Sequence, residues 1–265
     1  VGEDGWELSI KALIDNADCS HKARFTLIDA DGNEKASTIA DLRPIISAKL
    51  PVEDPVLWNG RKNPYLYTVK CEIFDSTTEE VTDNIDIRTG LREYHIDSHK
   101  GFFLNGEHIK LQGVSRHQDR ENMGNAITEK QHAEDVKIIL DVGANSVRLA
   151  HYQQNSYFYD LCDESGLLVW AEVPVISRFS PKRNENAEQQ LVELIKQNYN
   201  HPSIFCWGIE NEITIAGSAS KKLITFLKHI HKVARHLDPT RYTTCAQLTM
   251  CPVNSPLNHI TDIIG

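Results

Sequence analysis

The 265-residue sequence is short of positive charge: 28 Lys and Arg stand against 37 Asp and Glu, for a net charge of −9 at pH 7 with His neutral. That deficit argues against non-specific binding to nucleic acid or to an anionic membrane, both of which need a basic surface. Long apolar runs are missing too, and none approaches the ~20 residues a membrane-crossing helix requires. The six cysteines, Cys19, Cys71, Cys162, Cys206, Cys245 and Cys251, include no C-x-x-C pair. Several sit within apolar runs, which favours reduced structural thiols over a disulfide framework or a zinc site. Twelve histidines are present without an H-E-x-x-H spacing. There is no G-x-S-x-G, no P-loop and no G-x-G-x-x-G, which lowers serine-hydrolase, phosphate and dinucleotide chemistry. The chain starts at Val1 with no Met and no signal-like segment, so a processed protein or a cut piece is expected. It reads as soluble, of a bacterial periplasmic or cytoplasmic kind, with the compartment open.

Residues 1–92 read as strands without helices. Trp6 to Ala12 alternates apolar and polar, Ala23 to Ile28 does so less cleanly, and Leu66 to Phe74 is the longest such run. Asp31-Gly32 is a hairpin turn signal. Short strands separated by turns predict an antiparallel sandwich of the immunoglobulin type.

From residue 93 the pattern changes. A small hairpin with Asn105-Gly106 at its turn leads into the polar stretch Gln112 to Arg120, with a strand expected over residues 108–114. Thr128 to Gln131 is a capping box opening a helix whose inward face is expected to carry Ala133, Val136, Ile139 and Leu140. Strands then alternate with helices: Asn145 to Ala150, a helix ending at Gly166, Leu167 to Glu172, a helix over 186–199, Ile204 to Ile209, a helix over 220–237, and Thr243 to Leu248. Repeated β-α units imply a parallel sheet whose polar groups gather at the strand carboxyl ends. That edge collects Arg116, His117, Asp119, Arg148, His151, Glu172, Asn211 and Glu212. Any one of these could be a satisfied structural residue; four consecutive strands ending this way predict a pocket.

Carboxylates with His and Arg suggest glycosyl or general acid–base chemistry. Glycoside hydrolysis needs an acid for the leaving oxygen and a second carboxylate across the bond. Glu212 suits the acid if burial and a neighbouring charge raise its pKa.

Five blocks, in order along nearly the whole chain, carry a resemblance. They are Asn63-Pro64-Tyr65-Leu66-Tyr67, Gly113 to Asp119, Asn145 to Tyr152, Cys162 to Glu172, and His201 to Glu212. The chain resembles glycoside hydrolase family 2, the group of β-galactosidases, β-glucuronidases and β-mannosidases. The resemblance implies an immunoglobulin-like β-sandwich over 1–92 followed by part of a (β/α)8 TIM barrel over 93–265, and retaining hydrolysis of β-glycosides. It implies Glu212 as acid/base, Asn211 at the sugar 2-hydroxyl, and His117 and His151 at sugar hydroxyls. Arg148, Glu172 and Asp119 fall at the barrel mouth. Arg116 before His117, and Gln118-Asp119 after it, lean towards galactosides.

The sequence departs from the family pattern in three places. Larger β-galactosidases bind magnesium through a Glu and a His where this chain has Ile176 and Arg178, so no metal and no cofactor are expected. Glu210 is an extra acid, expected to face away from the pocket. No Glu follows Glu212, and about 250 residues make a full barrel; the chain is therefore expected to stop near the sixth strand, to lack the nucleophile, and to be inactive alone. The expected partner is a small oligosaccharide or β-galactoside, with a homo-oligomer open. Two alternatives stand beside this: a non-catalytic carbohydrate-binding or scaffolding protein, and a metal-dependent hydrolase using His117, His151 and Glu172.

Overall fold

Alternation in the first third builds strands that bury every second side chain. A computed structural model of the protein describes residues 5–265. Strands β1 (Trp6–Leu13), β2 (His21–Ile28), β3 (Glu34–Asp41), β4 (Ile45–Val52), β5 (Tyr67–Asp75) and β6 (Val81–Thr89) follow in order. They form two antiparallel layers, a four-stranded sheet in the order β3-β2-β5-β6 and the pair β1-β4. On β5, Tyr67, Val69 and Cys71 turn inward; they meet Ala23, Phe25 and Leu27 of β2 and Ile46, Leu50 and Val52 of β4 in one core. The core joins both layers, as in an immunoglobulin-like sandwich. The β2–β3 turn uses Gly32 at φ +85°, and the Asp29 carboxylate accepts the N–H groups of Asp31 (3.0 Å) and Asn33 (2.8 Å). Three short strands follow, β7 (Tyr94–Asp97), β8 (Gly101–Leu104) and β9 (Glu107–Ile109), in one small sheet. Asn105 and Gly106, both at positive φ, make the β8–β9 turn, the conformation for which Asn-Gly is favoured. The chain divides into two compact units between His108 and Ile109.

The second unit alternates strand and helix: β10 (Gly113–Arg116), α1 (Glu129–Asp141), β11 (Ser146–Leu149), α2 (Ser156–Ser165), β12 (Leu168–Glu172), α3 (Asn184–Asn198), β13 (Ile204–Asn211), α4 (Lys221–Leu237), β14 (Tyr242–Ala246) and β15 (Ile263–Ile264). All six strands are parallel and lie side by side in sequence order, the arrangement of a partial (β/α)8 barrel. The strand expected over 108–114 is not formed as such. Glu107–Ile109 pairs in the small sheet, and the first barrel strand is Gly113–Arg116.

Helix boundaries follow local chemistry. Gln131 Oε1 accepts the Thr128 N–H at 2.9 Å to close the capping box of α1. Asn155 caps α2 by accepting from Tyr157 N, and Gly166 ends it in the left-handed conformation. The expected inward face of α1 needs one correction: Ala133 is exposed and His132 is buried instead. His132 turns inward because Nδ1 meets the Arg116 guanidinium at 3.0 Å, while its ring lies against Phe158.

Strand β13 is buried at all eight positions. Leu191, Leu194 and Ile195 of α3 and Leu223, Phe226, Leu227 and Ile230 of α4 belong to the same core as its Ile204, Trp207 and Ile209. Each such side chain contributes about 1.5–3 kcal/mol by leaving water. Asp238, at the end of α4, accepts from Trp207 Nε1 (3.0 Å) and Arg241 Nη1 (2.8 Å). Arg241 in turn donates to the carbonyls of Tyr199, His201 and Ile204. The strand that carries the acidic end is thus fixed at its start by a fully hydrogen-bonded buried ion pair.

Candidate active site

Strand alternation sorts the side chains of three neighbouring strands. On β11, Val147 and Leu149 enter the core beneath the helices, so Arg148 projects from the other face of the sheet. On β12, Val169 and Ala171 do the same, leaving Trp170 and Glu172 on Arg148's side. Glu172 is only 1% exposed, and a carboxylate buried to that degree requires a counter-charge. Arg148 provides it through Nε to Oε1 and through Nη2 to Oε2 at 3.1 Å. Its Nη2 also donates to Asn211 Oδ1 at 2.6 Å. His151 Nδ1 lies 3.2 Å from Glu172 Oε2, so one carboxylate orients both the Arg and the His. The guanidinium also sits 5.0 Å from the centre of the Trp170 ring. Gly208 makes this packing possible: a Cβ there would lie 2.5 Å from Glu172 Cγ and 2.6 Å from Trp170 Nε1.

His117 is exposed just beyond β10, with its ring centre 5.1 Å from that of His151 and edge-to-face with it. Tyr152 lies 5.9 Å from the same ring, and its hydroxyl accepts the Gln118 N–H at 3.1 Å. Asn211 reaches Arg148 because the β13–β14 register shifts between Gly208 and Asn211. A bulge of this kind re-aims a strand end. The backbone beyond it is held on both sides: Asn211 N–H donates to Val175 O (2.9 Å), Ser177 N–H donates to Asn211 O (3.1 Å), and Glu212 N–H donates to Ala246 O (2.8 Å). Glu212 itself has φ +46°, in the left-handed region. It is half-buried, and its carboxylate makes no hydrogen bond among the described residues.

The structure therefore draws Arg148, His151, Glu172 and Asn211 together, with His117 beside them and Glu212 next in sequence. It does not join Asp119 to the group, since Asp119 is exposed and without a polar side-chain partner among the described residues. Arg116 is a correction to the expected pocket edge. It is buried toward the helices, bonded to Asp135 (2.7 Å), Gln154 and His132, with Phe158 under its guanidinium at 3.9 Å. Burial, and then the charge of Arg116, hold the His132 imidazole below its ordinary pKa, which leaves Nδ1 free to accept. Arg120 pairs with Glu134 and Asp135, so the two arginines pin the loop carrying His117 to α1.

Glu210 is buried near the end of β13, with Glu172 and Glu212 among the charges that act on it. Its Oε2 accepts the Ile213 N–H at 3.2 Å, and the Cys245 thiol lies beside it. Burial raises its pKa to about 7, against the smaller opposing effect of the Ile213 hydrogen bond. Sequence reasoning gave no role to Trp170 or Tyr152. The first stands two residues before Glu172 and so shares its face; the second follows a strand-end His.

The magnesium positions of the larger β-galactosidases do not fit a metal here. Ile176 offers no donor and Arg178 repels a cation. A cation on Glu172 and His151 would likewise face the Arg148 guanidinium on the same carboxylate. Asp160, Asp163 and His201 lie close enough to share an ion. Asp163, however, already accepts from Ser203 N (3.0 Å) and lies 2.6 Å from His201 Nδ1.

The family description "Glycosyl hydrolases family 2, TIM barrel domain" matches residues 96–261, and "Glycosyl hydrolases family 2" matches residues 2–92. The chain belongs to glycosyl hydrolase family 2. A β-glucuronidase of Bacteroides fragilis is 41% identical over 225 residues, 82% of this chain and 31% of that protein. A β-galactosidase of Thermoanaerobacter pseudethanolicus is 31% identical over 243 residues, 89% of this chain and 32% of that protein. Among solved structures, an FMN-binding β-glucuronidase from Facaelibacterium prausnitzii L2-6 superposes with a TM-score of 0.92 at 41% identity, over 99% of this chain and 41% of that one. A Bacteroides uniformis β-glucuronidase gives 0.89 at 31% identity, over 97% and 34%. The chain thus spans about a third of the length of the curated relatives it matches. No helix among the described residues is long and apolar enough to cross a membrane.

Proposed function

We propose that these residues form the acid/base half of a retaining β-glycosidase site, with the sandwich over 1–92 a structural domain and 93–265 the barrel portion that holds the chemistry. The reading rests on one observation above the others. Arg148, His151, Glu172 and Asn211 form a single hydrogen-bonded group at the carboxyl ends of three adjacent barrel strands, and Glu212 follows directly. Chemistry in this fold is built at that end. Glu212 donates a proton to the leaving oxygen and later takes one from water. Asn211, oriented by Arg148, binds the sugar 2-hydroxyl. His117 and His151 bind other hydroxyls, and Arg148 and Glu172 hold the floor. Asp119, exposed on the β10 loop, is proposed to reach the sugar only from the rim. The nucleophilic carboxylate is not supplied by any Glu after Glu212 in this sequence. The 265 residues alone are therefore proposed to be inactive.

The β-galactosidase-like stretch Arg116 to Asp119, by its resemblance and not by its position, is the ground for a β-galactoside as substrate. A β-glucuronide is the second reading, favoured by the name of the Bacteroides fragilis relative at 41% identity. The test uses the full-length protein on aryl β-galactosides and aryl β-glucuronides side by side. Glu212→Gln should lower turnover about 10²–10⁴-fold for poor leaving groups. Activated aryl glycosides should lose less in the first step, and azide should restore their deglycosylation. Equal loss across leaving groups without azide rescue would sink the assignment of Glu212. Binding of sugar without turnover by the full-length protein would favour a carbohydrate-binding role instead.

A further inference from the structure

The strongest unexplained group is Glu210, a carboxyl only 2% exposed near the end of β13. An acid in that position is costly unless it does something, since burying it without full hydrogen bonding sacrifices solvation. Oε2 accepts the Ile213 N–H at 3.2 Å, and the Cys245 thiol is the carboxyl's other hydrogen-bonding neighbour. The location of Ile213 is informative. Residues 210 and 213 bracket Asn211 and Glu212, so this bond closes a short ring around the two residues proposed to meet the sugar. Within that ring Glu212 has φ +46°, a conformation that costs an L-residue of the order of 1 kcal/mol or more. Such a conformation persists only when its surroundings over-determine it. The Ala246 carbonyl fixes the N–H before the Glu212 Cα, at 2.8 Å, and the Glu210 carboxyl fixes the N–H after it.

We propose that Glu210 is a positioning residue: by accepting the Ile213 N–H, it holds the Glu212 backbone in its left-handed conformation and so aims the Glu212 side chain at the pocket. Only 2% exposed, Glu210 acts through Glu212. The Glu210 pKa, raised to about 7 chiefly by burial, keeps it mostly protonated below that pH, and an amide can replace a protonated carboxyl as the acceptor in that bond. The proposal deepens the β-glycosidase reading and rests on it for its kinetic consequence only; the backbone consequence stands by itself.

The test compares Glu210→Gln, which keeps an acceptor, with Glu210→Met, which keeps the volume and removes it, both in the full-length protein. Each is assayed on an aryl β-galactoside and an aryl β-glucuronide, and each is crystallised. Glu210→Met should lower kcat about tenfold or more with KM within about twofold, because proton transfer depends on aim and ground-state binding does not. Glu210→Gln should recover most of that loss. In the crystals, Glu212 should keep a positive φ in Glu210→Gln and leave it in Glu210→Met. Equal activity of Glu210→Met and the parent, equal loss in both variants, or an unchanged Glu212 φ in Glu210→Met would each overturn the proposal. If the parent protein turns over neither substrate, the β-glycosidase reading fails, and the Glu212 φ in the two crystals still decides the positioning role.

Discussion

Arg148 Nη2 donates to Asn211 Oδ1 at 2.6 Å while the same guanidinium grips both oxygens of Glu172. One cation thus neutralises a buried carboxylate and orients an amide from a strand two places away. Arg suits this because its planar fork serves several acceptors at fixed angles, which a Lys ammonium does not. Arg148→Met in the full-length protein is expected to cost about 3–5 kcal/mol, because Glu172 is left charged and buried. Arg148→Met with Glu172→Gln should cost less than Arg148→Met alone. Urea unfolding of both variants checks this, and a double variant less stable than Arg148→Met would refute it.

His117 and His151 sit edge-to-face at the mouth, and only His151 is tied to Glu172. If both hydrogen-bond the sugar most strongly as the oxocarbenium-like state forms, replacing either with Ala should lower kcat at least as much as it raises KM. His151→Ala should have the larger effect, since it also removes one of the two partners of Glu172 Oε2, leaving Arg148 alone there. A rise in KM alone, measured by steady-state kinetics on an aryl glycoside, would make them ground-state binders.

The buried junction of Asp238 with Trp207 and Arg241 has no part in the proposed chemistry, so its loss should appear as stability. Asp238→Ala removes the partner of a buried Arg and of the Trp207 N–H. A cost of about 3–5 kcal/mol is expected for breaking a buried pair from one side. Thermal and urea denaturation check it; a loss under about 1 kcal/mol would show the Arg241 carbonyl contacts to be sufficient alone.

The architecture was legible because its signals are periodic. Alternation on β5 and the 3–4 spacing on α4 depend only on which face meets the core. The site was legible where a charged residue interrupts such a pattern, as at Arg148, Glu172 and Asn211. Sequence position failed where a side chain chooses between two polar environments. Arg116 stands beside His117 yet turns to Asp135 and Gln154 beneath the helices, and His132 displaces Ala133 from the inward face of α1 to meet it. Neither choice is encoded in spacing; both follow from which partners the packed helices bring near. The bulge after Gly208 was equally hidden, although it carries Asn211 to Arg148.

Glu210 also predicts a pH dependence of stability whose sign runs against the usual carboxylate. Its pKa rises from 4.5 to about 7 on folding, chiefly through burial. The groups around it are the Cys245 thiol of β14, Glu172 of β12 and Glu212 beyond the end of β13. Cys245 stays neutral in this window, because burial pushes its thiol up to about 11. Below pH 4.5 both folded and unfolded chains hold the Glu210 proton. Between 4.5 and about 7 the unfolded chain releases it and the folded chain keeps it, so folding stability falls as pH rises, and it levels off above about 7. The loss across the window is about 3 kcal/mol at most, by the conversion of a pKa difference to free energy. Glu210→Gln cannot ionise and should remove this slope. The stability of Glu210→Gln relative to the parent should therefore climb from pH 4.5 to about 7, while contributions from depressed acids such as Asp135 and Asp238 cancel in the difference. Urea unfolding of the two full-length proteins at several pH values measures it. A difference that stays constant from pH 4 to 8, or that shrinks as pH rises, would mean that Glu210 does not hold its proton in the folded state.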